Sequence, residues 1–191
     1  MDTIDVLTSR QSIGADLLTE PGPGPQDLEK ILSAAIRVPD HGRLFPWRIQ
    51  VLDKDAQKRL AEVYVARYRA LHPDARDNQV EHERKRPQRA PLLLVVSNRI
   101  DPMHKIPVLE QTLSGGALCM NILNAAHALG YCANWVTGWP AFDDEVKRSL
   151  GVPLASQIIG FVHIGSPAGP PKERIRPKLE DIVSAWTGPS A

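Results

Sequence analysis

The stretch LEQTLSGGALCMNILNAAHALGY, residues 109–131, decides how the rest of the chain is read. Pro107 precedes it, suited to a helix's first turn, and Gly130 stands where a helix takes its left-handed stop. Residues 115–129 are apolar nearly all the way round, interrupted by Asn121, Asn124 and His127. The pattern predicts a long helix over 107–129 that is buried on every side. Gly115, Gly116 and Ala117 leave it thin at one place, where another backbone can come close. In a chain of 191 residues, a second subunit is a natural source of that backbone. The interruptions leave the stretch short of the ~18 consecutive apolar residues expected of a membrane span.

Four segments around this helix have strand character: 48–52, 91–97, 131–137 and 157–164. Long helical stretches separate them, at 26–37, 53–71 with Asp53 as its N-cap, and 142–150, and short helices are predicted at 3–9 and 179–186. The alternation of a doubly wound sheet is absent, so the fold class is α+β. Pro21-Gly22-Pro23-Gly24-Pro25 must be loop. The polar segment 73–90 mixes charges of both signs at Glu81-His82-Glu83-Arg84-Lys85-Arg86 and reads as a solvated helix or a lid. One domain over 1–191 is expected, with an irregular C-terminal extension from about 167.

Lys plus Arg total 23 and Asp plus Glu 22, a net charge of +1. That balance argues against nucleic acid or an anionic membrane as a partner. Two cysteines, Cys119 and Cys132, make neither a disulfide framework nor a zinc cluster. The opening MDTIDVL lacks the basic-then-apolar layout of a signal peptide, and a cytoplasmic location is expected. Proline, 17 residues, is well above the roughly 5% of average usage, so long irregular connections are expected.

The chain carries no GxGxxG, no Walker-type phosphate loop, no GxSxG elbow and no His pair at i, i+4. Cys119 falls inside the buried helix, a packing position. With neither a nucleophile nor a metal set to carry a reaction, any chemistry belongs to a bound cofactor. Three polar clusters at the ends of apolar elements, and a fourth in the irregular tail, could hold one. Arg10-Gln11-Ser12 offers a guanidinium fork and a hydroxyl to a phosphate. Arg37 with Pro39-Asp40-His41 and Pro46-Trp47-Arg48 suits a flat ligand, or is a proline-stiffened loop around a packed Trp. Trp135-Val136-Thr137-Gly138 ends a strand where backbone amides can meet a heteroaromatic edge. Lys172 and Arg174, two apart on an extended chain, point the same way.

In this order and spacing, the segments SRQS (9–12), AAIRVPDHGRLFPWR (34–48), LEQTLSGGALCMNILNAAHALGY, NWVTG (134–138) and GFVHIGSPAGPPKERIRP (160–177) resemble the FMN-dependent nitroreductase superfamily, closest to its small, single-domain branch. The resemblance spans nearly the whole chain. It implies a mainly antiparallel sheet covered by helices, in an intertwined homodimer with FMN at the subunit interface. It further implies that Arg10, Gln11 and Ser12 hold the ribityl phosphate side and that Arg37 and His41 come from the partner subunit. Trp135, Val136 and Thr137 would then lie beside the isoalloxazine ring, and Lys172 and Arg174 would close on the phosphate. Relatives usually read Arg-Arg-Ser where this chain has Arg10-Gln11-Ser12. The implied activity passes a hydride from NADH or NADPH through FMN to an electron-poor small molecule such as a nitroaromatic or quinone. A flavin-storing module without reductase activity, and a dimer without ligand, are the alternatives.

Overall fold

A computed structural model describes residues 2–188. Its helices are α1 (Thr3–Ser9), α2 (Pro25–Ala35), α3 (Lys54–Leu71), α4 (Asp77–Lys85), α5 (Val108–Ala128), α6 (Asp144–Ser149) and α7 (Leu179–Ile182). Its strands are β1 (Leu18–Thr19), β2 (Trp47–Leu52), β3 (Leu92–Asn98), β4 (Cys132–Val136) and β5 (Gln157–Pro167). Every pairing is antiparallel. β3 lies between β2 and β5, and β5 carries β4 along its other edge and the short β1 near its end. The α+β reading therefore holds.

The run Leu92-Leu93-Leu94-Val95-Val96 is buried throughout because both faces of β3 are covered. Leu92, Leu94 and Val96 pack with Ile31 and Ala35 of α2 and Leu118, Cys119 and Ile122 of α5. Leu93 and Val95 pack the other way, with Leu60 and Tyr64 of α3 and Val146 of α6. Each fully buried Leu of this kind contributes about 1.5–3 kcal/mol. Asp53 caps α3 as expected, its Oδ1 accepting from the Ala56 amide at 2.8 Å.

Four expectations are corrected. Within the chain α5 buries only one face, through Gln111, Ser114, Gly115, Leu118, Cys119, Ile122, Leu123 and Ala126, and leaves Leu109 and Leu113 exposed. The thin place is used within the same chain: Gly115 meets the Asn98 side chain and Gly116 the Trp135 ring. The last helix stops at Ile182 and leaves Trp186 outside it. Helix α6 begins at Asp144, not Phe142, because Asp143 caps it with bonds from the Glu145 and Val146 amides. The two-residue β1 carries no periodicity a sequence could reveal. Within segment 73–90, α4 is laid against α3, and Val80, Glu83, Pro87 and Ala90 are buried. Residues 167–187 are all exposed; of the extension expected there, 189–191 lie outside the described residues. No helix among the described residues is long and apolar enough to cross a membrane.

Candidate functional site

Helix α1 is only seven residues long and depends on its ends. Asp2 and Asp5 form a reciprocal capping box, with side chain to amide distances of 2.9 and 3.3 Å. At the other end Ser9 shares a 3.0 Å hydrogen bond with His127 Nε2, which docks α1 on the last turn of α5. Arg10 then leaves the helix in an extended conformation as its C-cap. Its Nη1 donates to Ser12 Oγ at 3.3 Å, while its Nε is buried with no acceptor among the described residues. Burial first, then the charges of Arg176 and Arg174, pull the Arg10 guanidinium below its ordinary value. Burial and the Arg10 charge likewise lower the neighbouring His127.

The charges of Arg174 and Arg176 thus reach Arg10, and Arg174 lines a cavity of about 480 Å³, a size within the roughly 300–1,000 Å³ of small-molecule sites. Ser12, Lys172 and Arg174 line its polar wall, and Ile13, Leu17 and Pro170 are among its apolar groups. Its one lining carboxylate, Glu173, is engaged by Arg176 at 3.6 Å and by the Gln11 amide. The excess of positive charge over this single acid fits an anion. Asn134 Nδ2 donates to the Ile13 carbonyl at 2.6 Å, which ties the strand end Trp135-Val136-Thr137 to the same neighbourhood. Trp135 is on β4 and half-exposed, Val136 is half-buried, and Thr137 is exposed just past the strand. The structure therefore brings together Arg10, Gln11, Ser12, Lys172 and Arg174, with Trp135, Val136 and Thr137 on the adjoining strand.

Arg37 and His41 lie elsewhere along α5, His41 at its first turn beside Glu110 and Arg37 beside Asn121. The polar residues that interrupt α5 hold their loop. Asn121 Nδ2 donates to the Ala34 and Arg37 carbonyls at 3.2 and 3.1 Å. Ser114 Oγ donates to the Pro39 carbonyl at 2.7 Å and accepts from Trp47 Nε1 at 3.1 Å. Arg37 and His41 are exposed, and His41 Nδ1 is 2.6 Å from Glu110 Oε2. A second cavity of about 310 Å³ opens there, lined by His41, Glu110, Leu113 and Ala117. From Glu110, beside His41, to His127 the helix rises about 25 Å at roughly 1.5 Å per residue, whereas Asn121, which holds the Arg37 carbonyl, is only about 9 Å along it from His127.

Sequence reasoning missed Arg176, Glu110 and His127. Arg176 had a signal, since it continues the alternation of Lys172 and Arg174. Glu110 and His127 had none, because their partners His41 and Ser9 are distant in sequence. Cys119 is buried in the core, and burial pushes its thiol up to about 12. Among the described residues no group of three or more His, Cys, Asp or Glu could hold a metal ion.

The model of the Nitroreductase family matches residues 7–166. The chain is 32% identical over 167 residues to the "Putative NAD(P)H nitroreductase YdjA" of Escherichia coli K12, covering 87% of this chain and 89% of that protein. Among solved structures, a nitroreductase-like family protein from Bacillus cereus superposes with a TM-score of 0.84 at 20% identity, over 98% of this chain and 97% of that one. A nitroreductase with bound FMN from Bacteroides fragilis superposes with a TM-score of 0.72 at 22% identity, over 97% of this chain and 100% of that one.

Proposed function

The chain belongs to the nitroreductase family, and from that premise we propose that it is an FMN-dependent NAD(P)H oxidoreductase that works as a homodimer. The observation that carries this reading is the buried, acceptor-less Nε of Arg10, crowded by Arg174 and Arg176 beside an anion-sized excess of charge. Three like charges are gathered at a cost unless an anion joins them. The terminal phosphate of FMN suits that demand. Arg10 and Ser12 would grip it from one side, and Lys172 and Arg174 would close from the exposed tail. Gln11 keeps a hydrogen-bond donor where relatives usually carry a second guanidinium, but it adds no charge, so the tail cations take a larger share of the hold.

Trp135, Val136 and Thr137 would flank the ring at the end of β4. Arg37 and His41 would serve the site of the other subunit, as the family resemblance implies; His41, beside Glu110, stands about 25 Å along α5 from His127, on which α1 docks. The exposed face of α5 at Leu109 and Leu113 supports a second copy seated there. FMN, when bound, supplies hydride transfer between NADH or NADPH and an electron-poor acceptor such as a nitroaromatic or quinone. The chain's own residues then hold the ring, orient its edge and leave a face open; none has to act as acid or base.

The test is titration of the purified protein with FMN, then anaerobic mixing of the loaded protein with NADH and with NADPH in turn. Uptake of FMN and bleaching of its visible band by a nicotinamide are expected. Uptake without bleaching by either donor points to the flavin-storing alternative, and no uptake overturns the FMN reading.

A further inference from the structure

The turn that follows β4 is held from behind by an ion pair, its acid buried and its cation half-buried, that the reading above does not use. Gly138 has φ 79° and ψ −176°, a conformation essentially reserved for glycine. Its N–H has no acceptor among the described residues. A Cβ placed there would stand 3.0 Å from Arg86 Nη1, so the guanidinium lies against the Gly138 backbone where a side chain would otherwise be.

Arg86 is itself fixed in place. Its Nε donates to Glu83 Oε2 at 2.8 Å and its Nη2 to Glu83 Oε1 at 3.0 Å, a two-bond fork. Glu83 Oε2 also accepts from Trp139 Nε1 at 2.8 Å. The carboxylate is only 5% exposed. Burial alone would push it up, but the bonds from Arg86 and Trp139 outweigh burial and hold it below the usual carboxylate range. The Trp139 ring rests against Tyr64 and Tyr68, with centroids at 5.4 and 6.3 Å. Nη1 is thus left as the corner of the guanidinium that faces the turn, with the carboxylate on the far side. The pair makes a dipole with its positive end toward Gly138.

We propose that Arg86, held by Glu83 and Trp139, is a positioning residue that sets where the Gly138 amide stands and thereby favours the reduced form of the bound flavin. This inference rests on the FMN reading, in which the end of β4 borders the ring. Two-electron reduction by the nicotinamide, with uptake of one proton, leaves the ring one unit more negative. A free N–H dipole fixed at its edge, backed by the positive end of the ion pair, stabilises that extra charge in a low-dielectric seam. Glu83 cancels most of the long-range charge of Arg86, so the effect acts through placement of the turn and not through net charge.

Arg86→Met keeps an apolar stem and removes the cation, but it strands the buried Glu83 carboxylate. The double variant Glu83→Gln/Arg86→Met removes both charges and avoids that penalty. Trp139→Phe removes only the indole N–H bond and keeps a ring against the tyrosines. Each FMN-loaded protein is reduced in equilibrium with a reference dye. FMN affinity is expected to stay at the unaltered protein's level, since the phosphate end is untouched. The ratio of reduced to oxidised flavin at a given potential is expected to fall about tenfold in the first two variants, which is ~30 mV for a two-electron couple, and by less in Trp139→Phe. A lowered melting temperature with no change in this ratio, in any variant that still takes up FMN, overturns the positioning role alone. If the unaltered protein takes up no FMN, both this inference and the FMN reading fall.

Discussion

The Trp135 indole lies so close to Gly160 that a Cβ on the glycine would stand 2.0 Å from Nε1, which meanwhile donates to the Ile159 carbonyl at 3.0 Å. The bare backbone at Gly160 is what admits the ring against β5. The far end of the indole reaches α5, where Cη2 lies 3.7 Å from the position of a Gly116 Cβ. Gly160 therefore makes the slot for a tryptophan that stays 36% exposed at the proposed edge of the ring.

Gly160→Ala is expected to push the indole out of its slot and lower stability by about 1–3 kcal/mol, as overpacking of a close contact does. Thermal unfolding and the Trp emission maximum both read this out. An unshifted emission with native stability would show that the slot is not needed.

Arg10→Ala is expected to weaken FMN binding by about 10- to 100-fold, the worth of a charge-assisted hydrogen bond, while leaving turnover of the flavin-saturated protein nearly intact. Equal loss in affinity and turnover would count against a phosphate-holding role. The defect should grow smaller as salt screens the remaining tail cations.

Leu113 is 62% exposed on α5 and borders the cavity beside His41. Leu113→Arg is expected to turn the proposed dimer into monomers and to lose FMN with it, because Arg37 and His41 would then no longer reach the partner site proposed for them. Sedimentation of the variant with and without FMN decides this. A dimer that survives the change would remove the α5 face from the proposed interface.

His163 on β5 is 1% exposed, and burial, followed by the charges of Arg89 and Lys54, lowers it to about 3 from the ordinary 6.5. The unfolded chain takes up this proton near pH 6.5 and the folded one only near pH 3, so between those values the unfolded state binds more protons. Stability should accordingly fall as pH drops below 6.5, by about 1.4 kcal/mol per unit from this group. In His163→Gln the decline below pH 6.5 should be shallower, left to His127, which is also lowered, and should steepen in the ordinary carboxylate range, where the unfolded chain protonates Glu83 and Asp143 while the folded one holds both low. Urea unfolding across pH 4–7 compares the two slopes, and parallel curves would rule His163 out as the cause.

Asp53→Ala is expected to cost about 1 kcal/mol through the lost cap of α3. Urea midpoints at pH 7 measure it, and an unchanged midpoint would mean that packing alone sets the start of α3.

Local chemistry and periodicity are enough to find the long helix from Pro107, the strands in Leu92–Val96 and Gln157–Gly165, the Asp53 cap and the ordered polar clusters, since each depends on residues close in the chain. The clusters could be matched to a family because their order survives in the linear text. The pairing of His41 with Glu110, of Ser9 with His127, and of Arg86 with the Gly138 turn could not be read that way. Those contacts join residues from separate elements, and they depend on how helices settle on the two faces of the sheet. Sequence alone determined which elements form and which chemical groups are available. Tertiary structure decided which groups meet, because a buried charge or ring takes whichever partner the packing brings within hydrogen-bond reach.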